Sequence, residues 1–559
     1  MPTVLLLLLG LFIVVAASSM RRLVTGALAS IPGPRFAALS RVWYAYQVRN
    51  GRLLQLAKTL HKKYGPAVRV APNEVWFDSQ EAFRVIYNPS HGFDKSDFYL
   101  STVLFHPDMD WRKPSELNFP DTLDLLSERD MKRYRQQRRL IGPVYHETNV
   151  AKFGSAVDGV LDRAVADLRS LNGAEVDLKE WMHIVAVECL GAVVLGWSPK
   201  FLPAHSDFGS SSASYYNWRR KSVFGLFPGC VVAEFLCGGR GWVIRPFAAV
   251  WRLGYETRAG FRNFFTGLGQ RVAARVRKAK RAAAEAAEKA EKAEKEGKVA
   301  GQSSPTPKPA NRDLMADLID LHRTKPDFND TYLRRMAITN FGAGHETMCS
   351  ALTAAVAMIG SHPDAFQTVA DEVRALKGNN KTICSARDAM AKVPFTAASI
   401  KEAQRLHPAI GMSLSRVVPD GPPVELHGHV LPPGTIVGCS PPALHRNRQV
   451  FGQDADEFRP GRWLDAQRKE ELDPLQRRLM ERINLTWGGG ARTCPGRYLA
   501  ELIVYKAVVA LVRNFDIEAT MPAEEDIRYY FLAMLNGARA RFHIRDAGTR
   551  RRKDSLNTV

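Results

Sequence analysis

The stretch 487-WGGGARTCPGRYLAELIVY-505 places one cysteine in a glycine-rich, arginine-flanked loop, directly ahead of an apolar helical pattern. A lone cysteine is most often an inert buried thiol. The neighbours of Cys494 favour another use. Gly488, Gly489, Gly490 and Gly496 remove side chains on both sides of the sulfur, so backbone N–H groups approach it and a flat, bulky group has room. Pro495 and Gly496 turn the chain into a helix starting near Arg497. The sulfur then lies near a helix N-terminus, where peptide dipoles and free N–H groups favour a thiolate. Arg492 adds a cation suited to a carboxylate on a bound group. A loop that presents a thiolate beside a flat slot is what axial ligation of haem iron requires.

Further segments fit around this loop. In 343-AGHETM-348, Gly344 weakens a helix locally and the Thr347 hydroxyl occupies the groove that opens. Taken alone, the segment is a kink in a packed helix. In 402-EAQR-405, Glu402 and Arg405 share a helix face, which in isolation is an ordinary surface ion pair. The segments 458-FRPGRW-463, 134-YRQQRRLIGP-143 and 413-SLSRVVP-419 carry Arg462, Tyr134 with Arg138, and Arg416. Each of these cations, taken singly, is equally a solvated surface residue.

Together the segments resemble the cytochrome P450 family. Trp487-x-x-Gly490-x-Arg492-x-Cys494-x-Gly496 is similar to its haem-binding signature, with Trp487 where phenylalanine is usual. The core Gly-x-Arg-x-Cys-x-Gly arises by chance in a chain of this length roughly once in several hundred. The resemblance implies Cys494 as the iron ligand and Arg492, Arg138, Tyr134 and Arg416 around the haem propionates. Gly344 would lie in the oxygen-binding helix, where Thr347 holds dioxygen and Glu346 relays protons; Met348 stands where a second hydroxyl is common. His345 faces either the proton channel or a neighbouring helix. Glu402, Arg405 and Arg462 would form a buried cluster that braces the haem-side loops, with a structural role. The stretches 93-FDKSDFY-99, 125-LLSERD-130 and 444-LHRNRQVFGQDADEFRPGRWL-464 look most like fungal microsomal members of the pisatin demethylase-like group.

The rest of the chain sets the organisation. Its 559 residues are 45% hydrophobic, enough for a large core, and carry a net charge of +21. That charge suits an acidic partner or an anionic surface, and equally a basic linker and tail on an ordinary domain. No motif supports a nucleic-acid partner. The 7 cysteines are odd in number and lack zinc-like spacing, which places the main body in a reducing compartment. Residues 1–22 contain an apolar run from Val4 to Ala17 followed by Arg21 and Arg22. A cleaved signal peptide is the alternative, but the charges follow the run, so we read a single-pass membrane anchor with the body on the cytosolic side. The segment 278–311 is a charged, low-complexity surface insertion ending in a Pro/Ser linker, and 546–559 is a basic tail. A second apolar stretch, 223-VFGLFPGCVVAEFL-236, is unfit to span and either dips into the membrane interface or packs in the core.

The expected fold is mainly α: a cytochrome P450 fold over residues 30–545, with a small β region near its N-terminal part, preceded by the anchor. The expected reaction is insertion of one oxygen atom from O2 into a lipophilic substrate, by hydroxylation or O-dealkylation. It would use haem b and electrons from NADPH through a separate cytochrome P450 reductase, with cytochrome b5 as a second donor and membrane lipid at the endoplasmic reticulum. The chain carries no nicotinamide fingerprint or flavin domain of its own. Alternatives are an isomerase or peroxide-rearranging enzyme of the same fold, and a haem-binding protein without turnover. Tyr99–Phe105, Phe341, Ala343, Ile410–Leu414 and Leu532–Leu535 would line the substrate pocket.

Overall fold

The computed structural model describes residues 26–103, 124–254, 257, 260–295, 312–376, 383, 385–465 and 474–545. The anchor segment, the end of the charged insertion and the basic tail lie outside the described residues. The helices that position the site are α1 (Arg41–Arg49), α2 (Met131–Ile141), α3 (Gly154–Ser170), α4 (Leu178–Leu195), α5 (Ser210–Gly225) and α6 (Pro228–Leu236). They continue with α7 (Ile244–Val250), α8 (Phe264–Lys295), α9 (Asp330–Gly360), α10 (Pro394–Leu406) and α11 (Arg497–Asn514). The described residues also hold further helices and ten short strands: β1 (Ala67–Ala71), β2 (Glu74–Phe77), β3 (Asp94–Lys95), β4 (Val176–Asp177), β5 (Arg416–Val417), β6 (Val424–Leu426), β7 (His429–Leu431), β8 (Ile436–Cys439), β9 (Phe515–Thr520) and β10 (Arg539–Ile544).

Helix α9 is the axis of the molecule. Asn329 caps it by accepting the Tyr332 N–H at 2.9 Å, its 31 residues contain no proline, and Pro363 just beyond it starts the next helix. Like α4 and α11, it is buried on nearly all faces over much of its length, as a helix enclosed by others is. Asp177 caps α4 by accepting the Glu180 N–H at 3.1 Å, and Gly196, at φ +56°, ends it.

The β structure is more widely drawn than the sequence reading placed it. The main sheet has the order β1-β2-β8-β5-β3, so strands from the last third of the chain complete the N-terminal hairpin. A second sheet, β4-β10-β9, lies largely in the C-terminal part. These pairings join segments hundreds of residues apart, and local patterns carry no signal for them. The charged segment, read as surface rather than core, begins as helix. Residues 278–295 continue α8, whose first half buries Leu268, Val272 and Val276 while its second half is solvated.

The stretch 223–236 divides between α5 and α6. Val223, Phe224, Leu226, Val231 and Phe235 point inward. Glu234 is buried and accepts N–H groups from Gly241, Val243 and Ile244, capping α7.

Candidate active site

The loop ahead of α11 is tied down by its own backbone. The Cys494 N–H donates to the Trp487 carbonyl at 2.8 Å, and Thr493 Oγ1 donates to the Gly490 carbonyl at 2.8 Å. Gly490 has φ +62°, and a Cβ there would stand 1.9 Å from the Tyr87 carbonyl oxygen, so no other residue fits. A Cβ on Gly496 would lie 3.9 Å from Cys494 Sγ, in contact with it, so this glycine keeps one side of the sulfur bare. Cys494 is exposed, while the other described cysteines are buried or half-buried. Burial within the fold nevertheless pushes its thiol pKa up, and the Gly496 N–H and the Arg138 cation pull it back. A side chain that is accessible yet deep within the protein lines an internal slot.

Helix α9 opens at one place. From Asn340 to Ile359 every residue is buried except Ala343, Gly344 and Thr347. Ala343 and Thr347 are one turn apart on one face. Thr347 Oγ1 donates to the Ala343 carbonyl at 2.7 Å. The expected weakening at Gly344 takes another form: the helix runs unbroken, and a Cβ on Gly344 would meet Leu190 Cδ1 of α4 at 3.1 Å. This glycine permits two helices to approach closely. Phe341 is fully buried against Trp197 and Phe264, away from that face, and so does not line the slot. Glu346 is buried and accepts a hydrogen bond from Trp218 Nε1 on α5. Burial raises its carboxyl pKa to about 7, against the lowering effects of Trp218 and Lys221. Trp218 stacks on Phe531 at 5.1 Å, and Phe531 packs on Phe98 and Tyr99, giving an aromatic wall beside Glu346. On the far side of Phe98, a cavity of about 370 Å³ is lined by Leu226, Pro228 and Met412 together with Arg41, Glu74 and Asp97, and by no residue of α9.

Cations gather beside the cysteine loop. Arg138 Nη1 donates to the Thr493 carbonyl at 2.7 Å. Arg492 donates to the carbonyls of Glu128 and Arg129 at 2.5 and 2.6 Å, lies over the Tyr134 ring at 4.4 Å, and leaves its buried Nε without a hydrogen-bond partner among the described residues. Arg416 donates to the Leu414 and Ser415 carbonyls. The register of β3 and β5 sets Lys95 directly opposite Arg416, an arrangement of like charges that destabilises a sheet on its own. Burial and then the Arg492 and Arg416 cations hold the Lys95 pKa well below its usual value. The ion pair recorded within this group is Arg492 with Asp94 at 3.6 Å. Buried cations that bond carbonyl oxygens and oppose one another call for added negative charge. A haem, with two propionates and an iron seeking a thiolate, fits this donor set.

Glu402, Arg405 and Arg462 meet in a buried cluster. Arg405 makes a two-point contact with Glu402 at 2.8 and 2.8 Å, and Arg462 Nε reaches Glu402 Oε1 at 2.8 Å. Trp463 Nε1 donates to the other Glu402 oxygen at 2.9 Å. The sequence reading missed how this cluster reaches the cysteine loop. His445 donates from Nδ1 to the Arg405 carbonyl at 3.0 Å and accepts the Leu485 N–H on Nε2 at 2.8 Å, two residues before Trp487. Burial holds its pKa down at about 3, so the ring is neutral and can make both bonds. Lys95 and Tyr87 were missed too. Tyr87 supports the loop at Gly490, donates to the Leu414 carbonyl at 3.0 Å and accepts the Cys439 N–H at 2.9 Å. Lys95 stands in the quoted stretch 93-FDKSDFY-99, but only the sheet register reveals its neighbour.

The family model described as Cytochrome P450 matches residues 260–536. Cytochrome P450 monooxygenase sdnT from Sordaria araneosa is 52% identical over 536 residues, covering 92% of this chain and 91% of its own length. Pisatin demethylase from Fusarium vanettenii is 27% identical over 499 residues, covering 88% and 84%. Cytochrome P450 monooxygenase gsfF from Penicillium aethiopicum is 26% identical over 528 residues, covering 93% and 94%.

Proposed function

The chain belongs to the cytochrome P450 family and is a monooxygenase of that family, and from that premise we propose how its residues serve the reaction. The substrate is a lipophilic small molecule, taken from fungal secondary metabolism or detoxification, and the reaction is hydroxylation or O-dealkylation. The supports are the aromatic wall of Phe98, Tyr99, Trp218 and Phe531 and the likeness to pisatin demethylase and other fungal monooxygenases. Cys494 is the iron ligand of haem b, with Trp487, Gly490 and Gly496 shaping its loop. Arg492, Arg138, Arg416 and Lys95 hold the propionates, and Tyr134 carries Arg492 on its ring. When bound, haem held by the Cys494 thiolate would supply the activation of O2. The chain's own part is to orient and to move protons. Thr347 presents a hydroxyl at the slot while its proton is held by the Ala343 carbonyl, and Glu346 holds a transferable proton near neutral pH. Glu402, Arg405 and Arg462 brace the loop through His445.

Electrons come from NADPH through a separate cytochrome P450 reductase, with cytochrome b5 as a second donor. Residues 1–22 anchor the chain in the endoplasmic reticulum membrane, facing the body to the cytosol. Among the described residues no helix is long and apolar enough to cross a membrane, and the anchor lies outside them.

The observation that carries this reading is the open sulfur of Cys494, on a loop that admits no Cβ at Gly490. Cys494→Ser should abolish the strongly red-shifted Soret band of the reduced carbon monoxide complex. A variant that keeps the band sinks the ligand assignment. With reductase and NADPH under ¹⁸O2, hydroxylation should leave one labelled oxygen in the product and O-dealkylation should release the alkyl group as an aldehyde made with consumption of O2 and NADPH; product formed without consumption of either would point to an isomerase instead.

A further inference from the structure

The aromatic wall has two sides. On one side Phe531 stacks on Trp218, whose indole bonds Glu346 of α9. On the other lies the cavity of about 370 Å³, and of the four wall residues only Phe98 lines it. The Phe98 ring is buried. It packs on Phe531 at 5.5 Å and meets Tyr99 nearly at right angles at 5.7 Å. One ring thus separates the space beside Glu346 from a second space within the size range of small-molecule sites.

The ring is held from behind. Phe98 belongs to the short turn Asp97–Thr102. Within it, Ser101 Oγ donates to the Phe98 carbonyl at 2.9 Å and Thr102 Oγ1 to the Tyr99 carbonyl at 2.7 Å. Gly225, the last residue of α5, lies against the ring. A Cβ there would stand 2.8 and 2.9 Å from Phe98 Cδ2 and Cε2, and 2.4 Å from Ser101 Oγ. A residue with a side chain would push the ring out of its place. Helix α5 is fixed in turn, since Ser222 Oγ accepts the Phe531 N–H at 2.9 Å. The glycine, the helix and the two packed phenylalanines form one close-packed unit, so the ring does not swing aside without moving its neighbours.

The cavity behind the ring has apolar lining from Leu226, Met412 and Ile436 and acidic lining from Glu74 and Asp97. Its described cation, Arg41, is engaged: it donates to the Leu226 carbonyl at 3.2 Å and lies 3.9 Å from Glu74. An entering carboxylate would meet two acids and no spare cation, whereas an uncharged tail meets no such penalty.

We propose that Phe98 is a specificity-determining residue: its ring closes the end of the substrate slot, so that the enzyme takes a compact lipophile that stops at the wall, and the cavity behind is the space an uncharged longer tail enters when the ring is removed. Gly225 is the positioning residue that leaves room for the ring. The proposal rests on the reading of the aromatic wall as the boundary of the substrate site.

The test uses the full-length haem enzyme and a ladder of N-alkylimidazoles from butyl to dodecyl. The imidazole nitrogen binds haem iron, so the Soret shift on titration reports binding without turnover while the tail reaches along the slot. In the wild type, affinity should rise about 4-fold with each added methylene, equivalent to ~0.8 kcal/mol, and stop rising once the tail meets the ring. In Phe98→Ala the rise should continue past that length, so that the longest probes bind about 10-fold or more tighter than to the wild type. Butylimidazole, too short to reach the wall, should bind both proteins alike. A terminal carboxylate on the longest probe should cancel the gain, because it would face Glu74 and Asp97. Phe98→Leu should move the stop by a smaller step, and it serves if Phe98→Ala loses the reduced carbon monoxide band. A folded variant with the wild-type stop, an equal change at every length, or a carboxylate tail that gains as much as the plain one overturns the partition. Absence of any Soret shift with butylimidazole in the wild type overturns instead the reading of the slot on which the partition depends.

Discussion

At Glu346 one carboxyl couples the chemistry of the slot to the stability of the fold. Its folded pKa is about 7 against an ordinary 4.5, chiefly through burial. A carboxyl with a raised folded pKa contributes stability that is fully present below pH 4.5 and is lost as pH rises through 7. Glu346→Gln should therefore flatten the fall of melting temperature across that window, by at most about 3 kcal/mol of unfolding free energy. Parallel curves for the two proteins would show a carboxyl that folding leaves unperturbed. Thr347 makes a separate prediction. Thr347→Ala should keep haem incorporation and ligand binding, because neither needs the hydroxyl. It should lower product rate by ~10- to 10⁴-fold while NADPH is still consumed and peroxide appears. Met348 is buried and offers no substitute hydroxyl. Unchanged product per NADPH would move proton delivery elsewhere. Residue types at short spacing made these two groups visible in the sequence. The setting of His345 was not visible: it faces a neighbouring helix, its Nδ1 3.0 Å from His183 Nε2 on α4, a pairing no local pattern shows.

The cysteine loop depends on elements that hold it from behind. Glu402 carries two arginines and an indole N–H, all buried, and His445 passes that rigidity to Leu485. Removing one partner of a buried ion cluster strands the others and costs about 3–5 kcal/mol. Arg462→Ala should lower unfolding free energy by that amount and cause loss of haem on mild heating, measured by chemical denaturation and by the Soret band. A neutral result would mean that water relaxes into the site. Gly490→Ala should be worse for haem retention than Gly496→Ala, since the first methyl meets a backbone carbonyl at 1.9 Å and the second only touches Sγ at 3.9 Å. Equal haem occupancy in the two variants would refute this order. Elements built from local periodicity were legible: α9 and α10 lie where the apolar and ExxR patterns put them. The main sheet was not, because β3 pairs with β5 and β2 with β8 between distant parts of the chain. The like-charge pair Lys95–Arg416 emerges only from that register, so a key part of the site was hidden until the sheet was known.

On the scale of the whole molecule, apolar side chains collect where two distant parts of the chain meet. Phe36 is 72% exposed, and Val42 and Tyr46 on α1 are about half exposed. Beyond α6, Trp242 is 70% and Val250 81% exposed. Arg41 on α1 donates to the Leu226 carbonyl at 3.2 Å and Arg49 to the Trp251 carbonyl at 2.7 Å, so α1 and the α5–α7 region form one side of the protein. Large exposed apolar groups on one side mark a surface that meets lipid or protein. The stretch 223–236 is not that surface, since most of its apolar residues pack inward; the contact falls to the residues flanking it. Deleting residues 1–22 should therefore weaken membrane association without abolishing it. Adding Trp242→Ser and Val250→Ser should release most of what remains, because two exposed side chains of this size each contribute about 1.5–3 kcal/mol when buried in an apolar phase. Flotation with vesicles at low and at 1 M salt separates the causes. Apolar insertion survives salt, whereas attraction of the +21 chain to anionic lipid is screened within about 3 Å at that ionic strength. A truncated protein that floats at low salt only would assign the residual binding to charge, and one that never floats would show that this face serves another protein.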